Sequence, residues 1–384
     1  MAAFAGDKIE AFVGPVELGA ADDLERVIVD FVDGARHSLD IAVQELDSEP
    51  IAQAILDARF RGVSVRVVLE QDYLLTARLP ALTMRPGEDE TAARRRLQWG
   101  DEPGSRSLEA NRRILAALLR CGADVKADYN PAIFHQKFVV RDFRERATPT
   151  SAILSGSANF THTDCHRNLN HIVVFHDPRI CREYTAEFEQ LRAGRFGRDT
   201  HGKVPAAYNL NGVPVKVLFA PDHAPELEIM KQMLKATRRV DFAIFTFSGS
   251  SGIDDAMIAL SEAKRTVTGA MDPGQGAQRW AATHDLDRAR IELYFPRRSP
   301  AFGKLHHKLM VIDEAVVVAG SFNYTAPANN FNDENIFVIG SPYPDLPKRE
   351  GGPVDPAACA EIARFFRAEI QRIEQEGERF IGAP

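Results

Sequence analysis

The sequence predicts a duplicated α/β fold: two pseudo-twofold-related halves, each a mixed β-sheet layered with helices. Two observations carry this. Helix-like amphipathic stretches alternate with short apolar, β-prone runs, the pattern of layered α/β proteins. One chemical pattern also occurs twice in the same order, which one chain rarely achieves by chance. The first copy holds His135, Lys137, Asp142, Gly156, Ser157 and Asn159, and the second holds His306, Lys308, Asp313, Gly320, Ser321 and Asn323. The halves are expected at 1–205 and 206–384, divided by the turn-rich linker THGKVPAAYNLNGVP from Thr200 to Pro214.

Taken in order, residues 16–36 read as an amphipathic helix with acids early and Arg36 at its end. Strand Ser38–Leu46 follows, then a helix near Pro50–Arg61 and a strand from Val63 to Leu69. Residues 73–110 interrupt the pattern with a stretch bearing Pro and Gly. Asp40 to His135 spans 95 residues whereas the matching Asp241 to His306 spans 65, so the first half carries an insertion of about 30. Arg94, Arg95 and Arg96 lie in it beside Trp99, a combination suited to phosphate contact and base stacking, although such arginines more often form a solvated helix face. Arg297 and Arg298 place further positive charge just ahead of His306. Asp355–Glu376 reads as a closing helix without a chemical role.

Composition sets the bounds. The chain has 384 residues, 45% hydrophobic and 26% charged, with a formal net charge of −7. That is the profile of an ordinary globular protein rather than one that coats nucleic acid with its whole surface. Neither a signal peptide nor a transmembrane segment is evident, so a cytoplasmic protein is expected. Cys121, Cys165, Cys181 and Cys359 are too scattered for a disulfide framework. His162, Cys165, His166, His171 and His176 form a His/Cys-rich patch, but its spacing is irregular and matches no CxxC or HExxH pattern, so no metal or cofactor is expected.

The repeated residues have a common chemistry. Residues two apart on a strand share a face, which brings each His together with its Lys. Two such halves face to face would surround one point with two imidazoles, two ammonium groups and two Asn carboxamides, a donor set for a tetrahedral anion. This argues for phosphoryl transfer, with one His attacking phosphorus and the other protonating the departing oxygen. Ser157 and Ser321 could add donors. Asp142 and Asp313 lie beyond the Lys on the same strands and suit structural hydrogen bonding.

At this point the chain resembles the phospholipase D superfamily, marked by two HxKxxxxD motifs, here HQKFVVRD and HHKLMVID, each followed by GSxN, here GSAN and GSFN. SLDIAVQEL and RVDFAIFTF resemble the family's first core strand and RGVSVRVVLE its next, so most of the chain is covered. The resemblance implies a phospholipase D-like α/β/α sandwich and a metal-independent phosphodiesterase. His135 would be the nucleophile that forms a phosphohistidine and His306 the general acid, in a site formed within one chain. Lys137, Lys308, Asn159 and Asn323 would hold the phosphate. One departure stands out. The family's Asn-x-Glu element is present as Asn332, Asp333 and Glu334 in the second half, but the first half reads Asn168, Leu169 and Asn170. Asn170 lacks the carboxylate that would orient a His, so the two imidazoles should differ, with His171 as a substitute contributor and both Asn170 and His171 expected as substrate contacts. The expected substrate is nucleic acid, making the protein a nuclease; phospholipid is the alternative, which should bring an exposed apolar rim, and a catalytically idle phosphate-binding protein is the third reading.

Overall fold

The computed structural model describes residues 2–73, 87, 89, 105–144, 146–345 and 352–381. Arg94, Arg95, Arg96 and Trp99 lie outside the described residues, as does most of the expected insertion.

The first half contributes β1 (Ala2–Phe4), β2 (Ile9–Gly14), α1 (Leu24–Asp33), β3 (Ser38–Val43), α2 (Glu49–Phe60) and β4 (Ser64–Leu69). It continues with α3 (Ser105–Arg120), β5 (Asp124–Ala127), β6 (Lys137–Arg141), β7 (Ala152–Gly156), α4 (His162–His166), β8 (Asn168–Phe175) and α5 (Pro178–Arg192). The second half follows with β9 (Ala207–Leu210), β10 (Val213–Ala220), α6 (Pro225–Met233), β11 (Arg239–Ile244), α7 (Ile253–Glu262), β12 (Thr266–Met271) and α8 (Thr283–Arg288). It is completed by β13 (Glu292–Phe295), β14 (Lys304–Leu305), β15 (Lys308–Ile312), β16 (Val316–Gly320), α9 (Ala326–Asn330), β17 (Glu334–Gly340), α10 (Pro356–Glu376) and β18 (Glu378–Arg379).

Two mixed sheets result. The first runs β1-β2-β8-β7-β6-β3-β4-β5 and the second β18-β13-β12-β11-β15-β16-β17-β10-β9. In each, the strand carrying the motif Lys lies antiparallel between the first core strand and the strand that ends in the motif Gly: β6 between β3 and β7, β15 between β11 and β16. The repeat in the sequence is thus a repeat in topology. One strand trades sides: β14, from the second half, pairs in parallel with β8 of the first sheet.

The core has three layers of apolar contact. The inner cluster joins the two sheets through Phe138, Tyr184, Phe219, Leu309 and Phe337, with α5 and α10 packed into it. A second cluster lies under α1, α2 and α3, and a third under α6, α7 and α8. The strands β3, β7, β15 and β16 are buried along their whole length, as near-continuous apolar runs require.

Two local expectations are corrected. The helix expected over 16–36 is a short turn at Val16–Leu18 and then α1, because Gly19 takes a left-handed backbone and Asp23 caps the new start by accepting from Arg26 N. The linker is not all linker, since β9 and β10 form a hairpin whose Asn211-Gly212 turn has positive φ at both residues, the signature of a two-residue hairpin loop.

Candidate active site

The two motif loops meet where the halves face each other, and each is stitched into the opposite half. His135 N donates to Asp333 O at 2.9 Å, and His306 N donates to Leu169 O at 2.9 Å. Phe134 also bridges to Asp333, while β14 leads His306 along β8. Both imidazoles are therefore held by the half that did not supply them.

Their side chains repeat that exchange. His135 Nδ1 lies 2.6 Å from Glu334 Oε2, and Ser321 Oγ donates to the same oxygen at 2.6 Å. His306 Nδ1 lies 3.0 Å from Asn170 Oδ1, to which Ser157 Oγ donates at 2.7 Å. Each Nδ1–H has an acceptor, which directs each Nε2 away from that anchor. The Ser157 and Ser321 hydroxyls, expected as phosphate donors, are instead occupied in fixing Asn170 and Glu334. Asn170, expected as a substrate contact, is the acceptor behind His306.

The carboxylate absent at Asn170 is supplied from elsewhere. Asp164 Oδ1 stands 3.6 Å from His306 Nδ1 and accepts from Asn168 Nδ2, while its Oδ2 accepts from Asn159 N at 2.7 Å. Asp164 is in α4, whose N-cap Thr161 accepts from Asp164 N. The equivalent short helix of the second half, α9, is capped by Thr325 accepting from Ala328 N. Asp164 and Ala328 are thus counterparts: one half carries its acid on the helix, the other at the start of the following strand. This aspartate was not identified from the sequence, although aligning GSANFTHTD with GSFNYTAPA exposes it as the one acid in that register.

Lys137 and Lys308 are about 1% exposed. Lys137 Nζ donates to His135 O at 2.9 Å and Gln44 Oε1 at 3.2 Å, and Lys308 Nζ donates to His306 O at 2.9 Å. Lys308 also sits over the Phe245 ring. Among the described residues neither ammonium has a carboxylate at ion-pair distance, so two buried cations are held by neutral acceptors. Such an arrangement is costly unless an anion enters. Among the described residues, Asn159 Oδ1 and Asn323 Oδ1 have no hydrogen-bond partner.

Burial dominates the proton affinities. Burial, then the charges of Lys137 and Lys308, holds His135 well below the usual imidazole range. Burial, then Lys308, Lys137 and His135, does the same to His306, so the two imidazoles and two ammonium groups all act on one another. Burial pushes Lys137 down to about 8 and Glu334 up to about 8. Lys308 is lowered well below the usual range by burial and by Lys137.

The other expected residues fall outside this cluster. Asp142 accepts from the backbone N–H groups of Arg36, His37 and Ser38, and Asp313 from those of Thr237, Arg238 and Arg239. Both are at the far ends of β6 and β15, where they pin the start of the first core strand. His171 is a correction: strand alternation turns it to the face opposite Asn170, where it stacks on His307 with Nδ1 atoms 3.1 Å apart. His307 in turn lies 3.5 Å from Glu369 of α10. Arg297 and Arg298 are exposed, and Arg297 lies 3.7 Å from Glu378. In the described part of α3, Arg113 pairs with Glu49 at the surface, as a solvated helix face would.

The comparisons with known proteins agree with this geometry. The family model described as cardiolipin synthase, PLD-like domain, matches residues 28–192 and 229–348. A phospholipase D of Rickettsia conorii is 28% identical over 130 residues, 33% of this chain and 60% of the relative. A mitochondrial cardiolipin hydrolase of Chlamydomonas reinhardtii is 30% identical over 181 residues, 41% of this chain and 79% of the relative. The matches to the Rickettsia conorii, Rickettsia felis and Rickettsia bellii phospholipases D span 60%, 45% and 45% of those proteins, less than two thirds of their lengths. In fold, the phosphatidylserine synthase of Haemophilus influenzae superposes with a TM-score of 0.61 at 12% identity, covering 99% of this chain and 89% of that one. With a family model matched across both halves and the paired motifs brought together at their junction, the chain belongs to the phospholipase D superfamily.

Proposed function

We propose that the protein hydrolyses phosphodiesters through a phosphohistidine intermediate, and that its substrate is a phospholipid. The observation that carries the activity is the pair of buried lysines that have no carboxylate at ion-pair distance among the described residues, facing two imidazoles whose Nδ1 atoms are already anchored. A phosphodiester bound there meets Lys137, Lys308 and the Nδ2 donors of Asn159 and Asn323 at its nonbridging oxygens, which stabilises charge as phosphorus becomes five-coordinate.

In this reading His135 Nε2 attacks phosphorus, forming a P–N bond as the P–O bond to the leaving alcohol breaks. His306 gives its Nε2 proton to that oxygen. Water then attacks phosphorus, passes its proton to His306, and the P–N bond breaks. In its ionised form, which the neighbouring Lys137 and Lys308 charges favour, Glu334 keeps the His135 proton on Nδ1 so that Nε2 presents a lone pair. The phosphate's negative charge offsets the lysines and favours protonation of His306.

The lipid assignment rests on two supports. The curated relatives are named phospholipase D and cardiolipin hydrolase. Beside the His135 loop, Tyr129, Ile133 and Phe331 are 74%, 45% and 45% exposed, an apolar rim of the kind a lipid enzyme needs. Ile133 O accepts from Asp333 N, which places this rim directly before both His135 and Glu334. Among the described residues no helix is long and apolar enough to cross a membrane. A nuclease would use the same phosphoryl chemistry and is the second reading, motivated by the arginines at 94–96 and 297–298.

The test is head-group release from phosphatidylcholine and cardiolipin vesicles in EDTA, beside cleavage of single-stranded DNA and bis-p-nitrophenyl phosphate. Lipid turnover with a covalent adduct in quenched wild type, and none in His135→Ala, is expected. DNA cleavage without lipid turnover overturns the substrate assignment. Failure of all three overturns the activity.

A further inference from the structure

In the first half, two neighbouring elements near residues 17–25 and a third at 162–166 bring four side chains together. Glu17 comes from the short turn before α1, Glu25 from the first turn of α1, and His162 and His166 from α4, one helical turn apart. Metal-binding atoms of Glu25, His162 and His166 all lie within 4.8 Å of one another. His166 is gripped at both nitrogens: Nε2 is 3.2 Å from Glu25 Oε2, and Nδ1 is 2.7 Å from Glu17 Oε1. Glu25 is itself held, its Oε1 accepting from Ser48 Oγ at 2.7 Å.

We propose that Glu25, His162 and His166 bind a divalent transition metal of the zinc type, with Glu17 as the outer carboxylate that orients His166. Two imidazoles and one carboxylate make a borderline donor set that suits zinc better than magnesium or calcium. Ligands of a tetrahedral zinc site are about 3.4 Å apart, given metal–ligand bonds of about 2.0–2.2 Å, and the Glu25–His166 pair already has that separation. A metal-bound imidazole almost always donates its other N–H to a carboxylate, the position Glu17 occupies. That contact fixes Nδ1 as the protonated nitrogen and leaves Nε2 to the metal. The fourth position opens to solvent beside the exposed His162.

The sequence argued against a metal because the patch has no regular spacing. The structure separates the patch: Cys165 is in the apolar core, His171 stacks on His307, and His176 pairs with Glu10. Only His162 and His166 remain, and their carboxylate comes from α1, where no local pattern could reveal it. The metal would clasp α4 to α1. Because α4 also carries Asp164, the clasp would steady the element behind His306 without entering the reaction.

The experiment uses the full chain stripped with EDTA and dialysed, then titrated with zinc chloride by calorimetry, with bound metal counted by mass spectrometry. One zinc per chain is expected, together with a higher thermal midpoint. His162→Ala, an exposed change that leaves the fold intact by circular dichroism, should lose the bound zinc and the thermal shift. Glu17→Gln should keep the stoichiometry but weaken affinity about 10- to 100-fold. Absence of zinc binding, or unchanged binding in folded His162→Ala protein, overturns the proposal.

Discussion

His135 Nδ1 and Glu334 Oε2, 2.6 Å apart and 199 residues apart in the chain, form the closest contact between the halves at the paired motifs. The contact decides which nitrogen of His135 faces the pocket. Glu334→Gln keeps the shape but can present its amide N–H to Nδ1, which moves the imidazole proton to Nε2 and removes the lone pair. Turnover should fall by on the order of 10²- to 10⁴-fold, the usual span for a disrupted proton-transfer group. Steady-state kinetics checks this, and near-normal turnover would refute it.

Asp164 faces the other imidazole, and its role can be separated by leaving group. Asp164→Asn removes negative charge 3.6 Å from His306 Nδ1 and so disfavours protonated His306. A diester with an alkoxide leaving group needs that proton, whereas p-nitrophenolate departs without much help. The variant should lose about 10-fold or more on phospholipid and much less on bis-p-nitrophenyl phosphate, with the p-nitrophenyl ester ruling out simple misfolding. Equal losses on both substrates would assign Asp164 a structural role alone.

The pH dependence follows from Lys137, whose ammonium burial pushes down to about 8 and which Glu334 pulls upward. Lysine is cationic below its pKa, so kcat/KM should fall as pH rises through about 8. In Glu334→Gln the upward pull is gone, Lys137 gives up its proton sooner, and the alkaline limb should move to lower pH. A pH–rate profile of both proteins reads this directly; a limb that stays put or moves upward contradicts it.

Asp142 should matter for stability alone. Its carboxylate is held below the usual range; burial opposes this but is outweighed by the hydrogen bonds from Thr150 and from Ser38, His37 and Arg36 N–H. A depressed carboxyl stabilises the fold above its unfolded pKa, and that contribution is lost as pH falls through the folded value. Asp142→Ala leaves buried N–H groups without an acceptor and should cost about 2–4 kcal/mol in denaturant melts, with kcat unchanged at low temperature. A kcat loss in the folded variant would place Asp142 in the chemistry.

Much of the architecture was legible because it is written locally and twice. The buried apolar runs of β3 and β15 and the paired HxK motifs speak through neighbours in sequence, whereas the Asn211-Gly212 hairpin passed for part of a linker. What escaped was relational. Strand alternation between Asn170 and His171 decides which one faces His306, and the doubt over Asn170 drew attention to the wrong neighbour. Asp164 was hidden because its acid had moved onto a helix, out of the motif's register. Ser157 and Ser321 look like free donors until their acceptors, Asn170 and Glu334, are placed beside them.

The crossed anchoring of the two histidine loops constrains how such a protein can diversify. If two identical copies of one half paired symmetrically, any change behind one imidazole would be imposed on the other, and attacker and proton donor could never be tuned apart. Joined in one polypeptide, the halves escape that bond. Trading the acid of one half for Asn170 and Asp164, while leaving Glu334 in the other, is a specialisation that a symmetric dimer could not inherit.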